Sequence, residues 1–213
     1  MADVRSLWVE TSQAALDLAV GPQVGARWGD RSSLPDMTIG ALIGHVLHSG
    51  ILFLEECLDQ PVPTDRPIRT ATLFSMIPLD VDDDVNIAVR DVAVAHSSDG
   101  LEDLLERTSA CRSRLVVRLM EEPPDRVVTS SVSGYPVPWL LDEFLAARIL
   151  ELVVHLDDLV TSLEGVELEL PKEAIALTCH LGIDICIRRH GPVPVMQALY
   201  RRDRNPLDAL RPL

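Results

Sequence analysis

VPWLLDEFLAARILELVVHLDDLVTSL, residues Val137 to Leu163, is the stretch on which the fold turns. It reads as one long helix. At about 100° per residue, with Glu151 set at zero, Ile149, Val153, Leu156 and Val160 lie on the far side. Leu141, Leu145, Leu152 and Leu159 fill one flank, and Leu150 and Val154 the other. A helix apolar on so many sides is expected to be largely buried. Yet Arg148, Glu151, His155 and Asp158 fall in one sector roughly 80° wide. Four ionisable groups on a buried face are costly unless they pair or bind something. Two readings follow. In one, Arg148 reaches Glu151 and Asp158 reaches His155 at i,i+3, forming a buried polar network. In the other, Glu151 and His155, one turn apart, point a carboxylate oxygen and an imidazole nitrogen at a metal ion. Arg148 and Asp158 then support the ligands from behind, with Asp158 holding the His155 tautomer.

A metal needs a third ligand from another helix. The segment opening at Asp36 or Thr38 and running to about Leu58 carries a 3.6-period apolar stripe through Ile39, Leu42, Ile43, Val46 and Leu47. His45 sits on a shoulder of that stripe. His48, about 60° further round, is expected on the solvent side.

The remaining chain also reads as helical. Helices are expected over Val4 to Ala19, Asp82 to Ala95, Leu101 to Met120, Lys172 to Arg189 and Val195 to Arg201. Residues 126 to 136 read as a short extended excursion. The proline-bearing stretch from residue 59 to 79 is the longest irregular segment and the expected rim of a site. Long helices joined by loops make an all-α four-helix bundle the expected architecture. The expected division is a bundle over residues 1–165, with residues 166–213 as a helical C-terminal extension packed on it.

Composition narrows the function. In 213 residues, 19 basic side chains face 33 acidic ones, a formal net charge of −14. Such a surface repels phosphate backbones and anionic lipid, so neither nucleic acid nor membrane is an expected partner. No uninterrupted apolar run approaches eighteen residues, and the N-terminus lacks a basic start followed by an apolar core. The expected compartment is the cytoplasm, and Cys57, Cys111, Cys179 and Cys186 are expected to be reduced and buried. Cys179, Cys186 and His190 share one helix face, but a single helix rarely supplies a full tetrahedral set. Asp80, Asp82, Asp83 and Asp84 lack the spacing of a calcium loop and read as a solvated helix start. Arg201, Arg202 and Arg204 read as a surface basic tail.

Two segments together resemble a known family. SLPDMTIGALIGHVLHS, Ser33 to Ser49, resembles the LPGW-[ST]-V-x-D-L-x-x-H-L segment of the mycothiol-dependent maleylpyruvate isomerase N-terminal domain family, in the DinB-like metalloenzyme superfamily. RILELVVHLDD, Arg148 to Asp158, is similar to that family's R-x-x-E-x-x-x-H-x-x-D. The resemblance implies an up-down four-helix bundle with a divalent metal, usually zinc, on His45, Glu151 and His155. It implies a small-molecule electrophilic substrate and mycothiol as a thiol cosubstrate, in an isomerase or thiol S-transferase. Open coordination positions would let the cation stabilise a thiolate, or acidify water for hydrolysis. Arg148 is then the cation that could meet an anionic substrate. A second copy of the chain, in a homodimer, is the expected protein partner. A non-catalytic metal-binding or interaction module is the alternative. Met37 stands where the family has Trp, and Ala41 where it often has Asp. Maleylpyruvate isomerase proper adds a C-terminal α/β domain, whereas the residues after Gly165 here read as helices. The isomerase's own substrate is therefore not implied.

Overall fold

The computed structural model describes residues 3–78, 80, 82–132, 135–201 and 207–212. The long helices α1 (Val4–Ala19), α7 (Leu101–Glu121) and α8 (Leu141–Ser162) surround a composite helix built from α3 (Ile39–Leu47), a π turn (His48–Leu52) and α4 (Phe53–Leu58). These four rods form the bundle, with α8 packed against α1 and α3. Short helices α2 (Pro22–Ala26) and α5 (Thr70–Phe74) lie in the connections. Helix α6 (Asp84–Ser97) covers α3 from outside, while α9 (Lys172–His190) packs on α8, α5 and α1, and α10 (Pro192–Tyr200) folds back on α9. Among the described residues the chain is all-α apart from a two-stranded hairpin, β1 (Val127–Val132) and β2 (Tyr135–Leu140), paired antiparallel.

Local chemistry explains the boundaries. Asp3 caps α1 by accepting from the amides of Arg5 and Ser6, and Thr38 caps α3 by accepting from Ala41. Asp83 caps α6, which places the acidic run at a helix start as read from the sequence. At the far end of the bundle, the Arg5 guanidinium donates to the carbonyls of Leu119, Glu122 and Pro123 and pairs with Asp142 at 3.0 Å. One side chain thus satisfies the open carbonyl end of α7.

Three readings need correction. The long helix begins at Leu141, not Val137, because Pro136 and Pro138 push the residues before them, Tyr135 and Val137, toward extended backbone. Val137–Leu140 instead pairs with β1, which places Trp139 against Phe144. The last helix starts at Pro192, whose missing N–H costs nothing in a first turn. Cys57, Cys111 and Cys186 are buried, but Cys179 is exposed. Arg202 and Arg204 lie outside the described residues.

The segment Ile39–Leu58 is long and apolar enough to cross a membrane by length and composition. Most of it is buried within the bundle. Ile39, Leu42, Ile43, Val46, Leu47, Ile51 and Leu54 have no exposed surface, which makes it the central helix of the core. Its continuity is broken only by the π turn. Two side-chain donors meet carbonyls there: Trp8 Nε1 donates to Gly50 at 2.9 Å and Arg148 Nη1 to Ser49 at 2.9 Å. Such turns are frequent at functional sites.

Candidate metal centre

The composite helix and α8 lie side by side, and this pairing brings residues 45 and 151 together across the bundle. His45 Nε2 lies 3.4 Å from Glu151 Oε2, and His155 Nε2 lies 3.6 Å from the same oxygen. The two imidazoles meet edge to face, with centroids 4.6 Å apart. One ligating atom from each residue lies within 4.8 Å of the other two. Around a tetrahedral ion with bonds of about 2.1 Å, neighbouring donor atoms stand about 3.4 Å apart. The two spacings to Glu151 are of that length, and longer than the 2.7–2.9 Å of charge-assisted hydrogen bonds. The donor set therefore fits a divalent ion of the zinc type.

The electrostatics point the same way. Burial works to raise the Glu151 pKa, but the neighbouring His155 and His45 rings and the charge of Arg148 outweigh it, holding the carboxyl well below its usual range. Burial dominates at His45 and lowers it, partly offset by Glu151, so this ring is neutral with a free lone pair. At His155, burial is outweighed by Asp158 and Glu151, which raise the imidazole to about 9. His155 Nδ1 lies 2.9 Å from Asp158 Oδ2. In the metal-free protein this ring is therefore positively charged; a bound ion would displace the Nε2 proton, and the Asp158 carboxylate on Nδ1 would hold the remaining proton there, the tautomer that a metal ligand needs.

Asp158→Asn is expected to leave the bundle folded while weakening divalent-metal affinity about 10- to 100-fold. Equilibrium dialysis against zinc checks this, and an unchanged affinity would mean that Asp158 does not orient the ring.

Arg148 does not pair directly with Glu151. Its guanidinium carbon stands 4.7 Å from the Phe144 ring centroid and 5.5 Å from that of Phe53. Nη1 is committed to the Ser49 carbonyl, while Nε and the Ser49 hydroxyl, both buried, have no hydrogen-bond partner. Such groups retain a desolvation cost of about 1–3 kcal/mol each until something pairs with them.

These residues border a cavity of about 300 Å³. His45, Glu151, Arg148 and Ser49 supply its polar wall; Phe53, Phe144 and Trp139 supply an aromatic wall. Leu73, Phe74 and Ile77 come from the proline-bearing stretch, and Val85, Ala88, Val89 and Val92 from α6. A larger cleft, of about 450 Å³, lies beside Asp17 and Glu169 and has no histidine in its lining.

His48 departs from expectation. It does not face solvent, because α6 packs over that side of α3. Its ring stacks on His96 with centroids 4.0 Å apart, and Nε2 lies 3.6 Å from Glu56 Oε1. Helical angle alone could not reveal this, since the covering element lies about fifty residues downstream. Among the described residues, Cys179, Cys186 and His190 form no cluster able to hold a metal ion.

The sequence model of one family, described as the mycothiol maleylpyruvate isomerase N-terminal domain, matches residues 9–160. No curated protein and no solved structure matches the chain. The matched span contains the whole candidate centre and covers well over half of the sequence.

Proposed function

The chain belongs to the mycothiol maleylpyruvate isomerase N-terminal domain family, within the DinB-like superfamily, and from that membership we propose a metal-dependent enzyme acting on a small electrophile. In this reading His45, Glu151 and His155 hold a divalent cation, most simply zinc, and the second reactant is the thiol mycothiol or water. The observation that carries it is the pair of spacings, 3.4 and 3.6 Å, from two histidine nitrogens to one carboxylate oxygen at the cavity wall. When bound, the cation supplies a Lewis acid that lowers the pKa of a coordinated thiol or water.

The chain's own residues do the rest. With an ion on Nε2, Asp158 would hold the one remaining His155 proton on Nδ1, away from the centre. Arg148, pinned between Phe53 and Phe144 and tied to Ser49, presents a fixed positive charge beside the cavity. That charge suits an anionic group on the substrate. The aromatic wall and the valines of α6 suit an apolar body and exclude water, which strengthens every charge interaction inside. A metal-binding module without catalysis would need no such cavity opening onto the ligands.

The test is a thermal melt with mycothiol, on metal-loaded and metal-free protein. A ligand at a hundred times its Kd adds about 2.7 kcal/mol, several degrees for a chain of this size. The shift is expected only with metal; an equal shift in both forms, or none in either, defeats the thiol reading. Arg148→Met leaves the Ser49 carbonyl without this donor and Glu151 with one nearby cation fewer, so KM is measured on protein whose fold a far-UV spectrum has verified. The substitution should raise KM for an anionic electrophile at least tenfold, and an unchanged KM removes Arg148 from substrate binding.

A further inference from the structure

We propose that His48, Glu56 and His96 form a second divalent-metal site, separate from the centre built on His45, Glu151 and His155. The three residues come from three elements: the first position of the π turn, α4, and the last turn of α6. One ligating atom from each lies within 4.8 Å of the other two. His48 Nε2 stands 3.6 Å from Glu56 Oε1, the same spacing as in the first centre and close to a tetrahedral edge. The site shares no ligand with the first and does not depend on the function proposed above.

The free protein shows why an ion would be accepted. His96 Nδ1 is buried and has no hydrogen-bond partner. Burial first, then the charges of His48 and Arg107, push the His96 pKa down to about 4. The Glu56 carboxylate faces His48 Nε2 with Oε1 and supplies the oxygen donor. The Glu56 side chain is about half exposed, at 54%, and gives an ion a route from solvent.

The rings now stack nearly parallel, 21° apart. Parallel rings cannot aim two in-plane lone pairs at one point. Binding therefore turns one imidazole out of the stack, closing the remaining gap between the donors. Two imidazoles and one carboxylate select a borderline ion such as zinc, cobalt or nickel over calcium or magnesium, which prefer all-oxygen sets.

The test is a cobalt(II) titration of the full chain, followed by visible absorption and by metal analysis after gel filtration. Wild type is expected to retain about two equivalents, and His155→Ala and His96→Gln about one each. Glu56→Gln, at a half-exposed position that should not disturb folding, is expected to weaken one of the two equivalents at least tenfold and spare the other. A wild type holding a single equivalent or none overturns the proposal. So does a stoichiometry unchanged by both His96→Gln and Glu56→Gln. If His155→Ala loses one equivalent and His96→Gln none, only the first centre stands. If the reverse holds, the second site stands and the reading of the first centre fails.

Discussion

His155→Ala is expected to abolish divalent-metal binding at the bundle centre and to destabilise the metal-free fold by about 3 kcal/mol. His155 is the positive partner of a carboxylate buried between α3 and α8, and its removal leaves Glu151 with a neutral His45 and the more distant Arg148. A carboxylate so stranded takes up a proton instead of staying charged. The pH dependence follows from the sign of each shift. His155 rises from 6.5 to about 9 on folding, so its contribution is fully present below pH 6.5 and is lost as pH climbs through about 9. Glu151 is depressed, so its contribution is present above pH 4.5 and is lost only in stronger acid. Metal-free wild type should therefore lose stability steadily between pH 6.5 and 9, and His155→Ala should be flat across that window. Melts in chelator across the pH range, together with zinc analysis, check both parts. His45→Ala should lose the metal too, with less effect on the free protein, because a neutral ring leaves no unpaired charge behind. Full zinc occupancy at the first centre in either variant would return these residues to a buried ion-pair cluster.

Gly44→Ala is expected to cost at least about 2 kcal/mol, although alanine is the better helix former by up to about 1 kcal/mol. A Cβ on Gly44 would overlap the Ala93 carbonyl oxygen and stand 3.2 Å from Ser97 Cβ and 3.3 Å from Ser97 N. Most of these neighbours belong to the backbone, which cannot yield by changing rotamer. Helix α6 would have to back away from α3, opening the cavity wall at Val89 and Val92 and pulling His96 off His48. Gly25→Ala is the control: its nearest neighbour is the flexible Leu101 side chain at 3.5 Å, so it should be neutral or slightly stabilising. Denaturant unfolding of the two variants measures the contrast. Equal stabilities would mean that α6 is not tightly seated on α3.

Much of this architecture is readable from local pattern. Glycine and proline breakers and apolar periodicity place α1, and place α7 and α9 to within a residue at their ends. The proline pair that delays the start of the long helix is also a local signal: Pro136 and Pro138 favour extended backbone just before Leu141, where the apolar pattern alone suggests helix. The π turn is harder to read, because nothing in HSGIL departs from ordinary helical composition. What distinguishes it is the company it keeps, two donors from Trp8 and Arg148 that reach its carbonyls from other helices.

The site divides along the same line. That Arg148, Glu151, His155 and Asp158 share a face is determined by the sequence itself, because rotation per residue is a property of the local backbone. The Asp158 contact with His155 belongs to that level, since it spans one helical turn. Which helix meets that face is decided only by tertiary packing. The bundle carries His45 across a hundred residues of chain to within 3.4 Å of Glu151, while α6 roofs the next turn and turns a supposed surface histidine into the partner of His96 and Glu56. Helical periodicity says where a side chain points on its own rod; the burial of apolar faces against one another says what stands opposite.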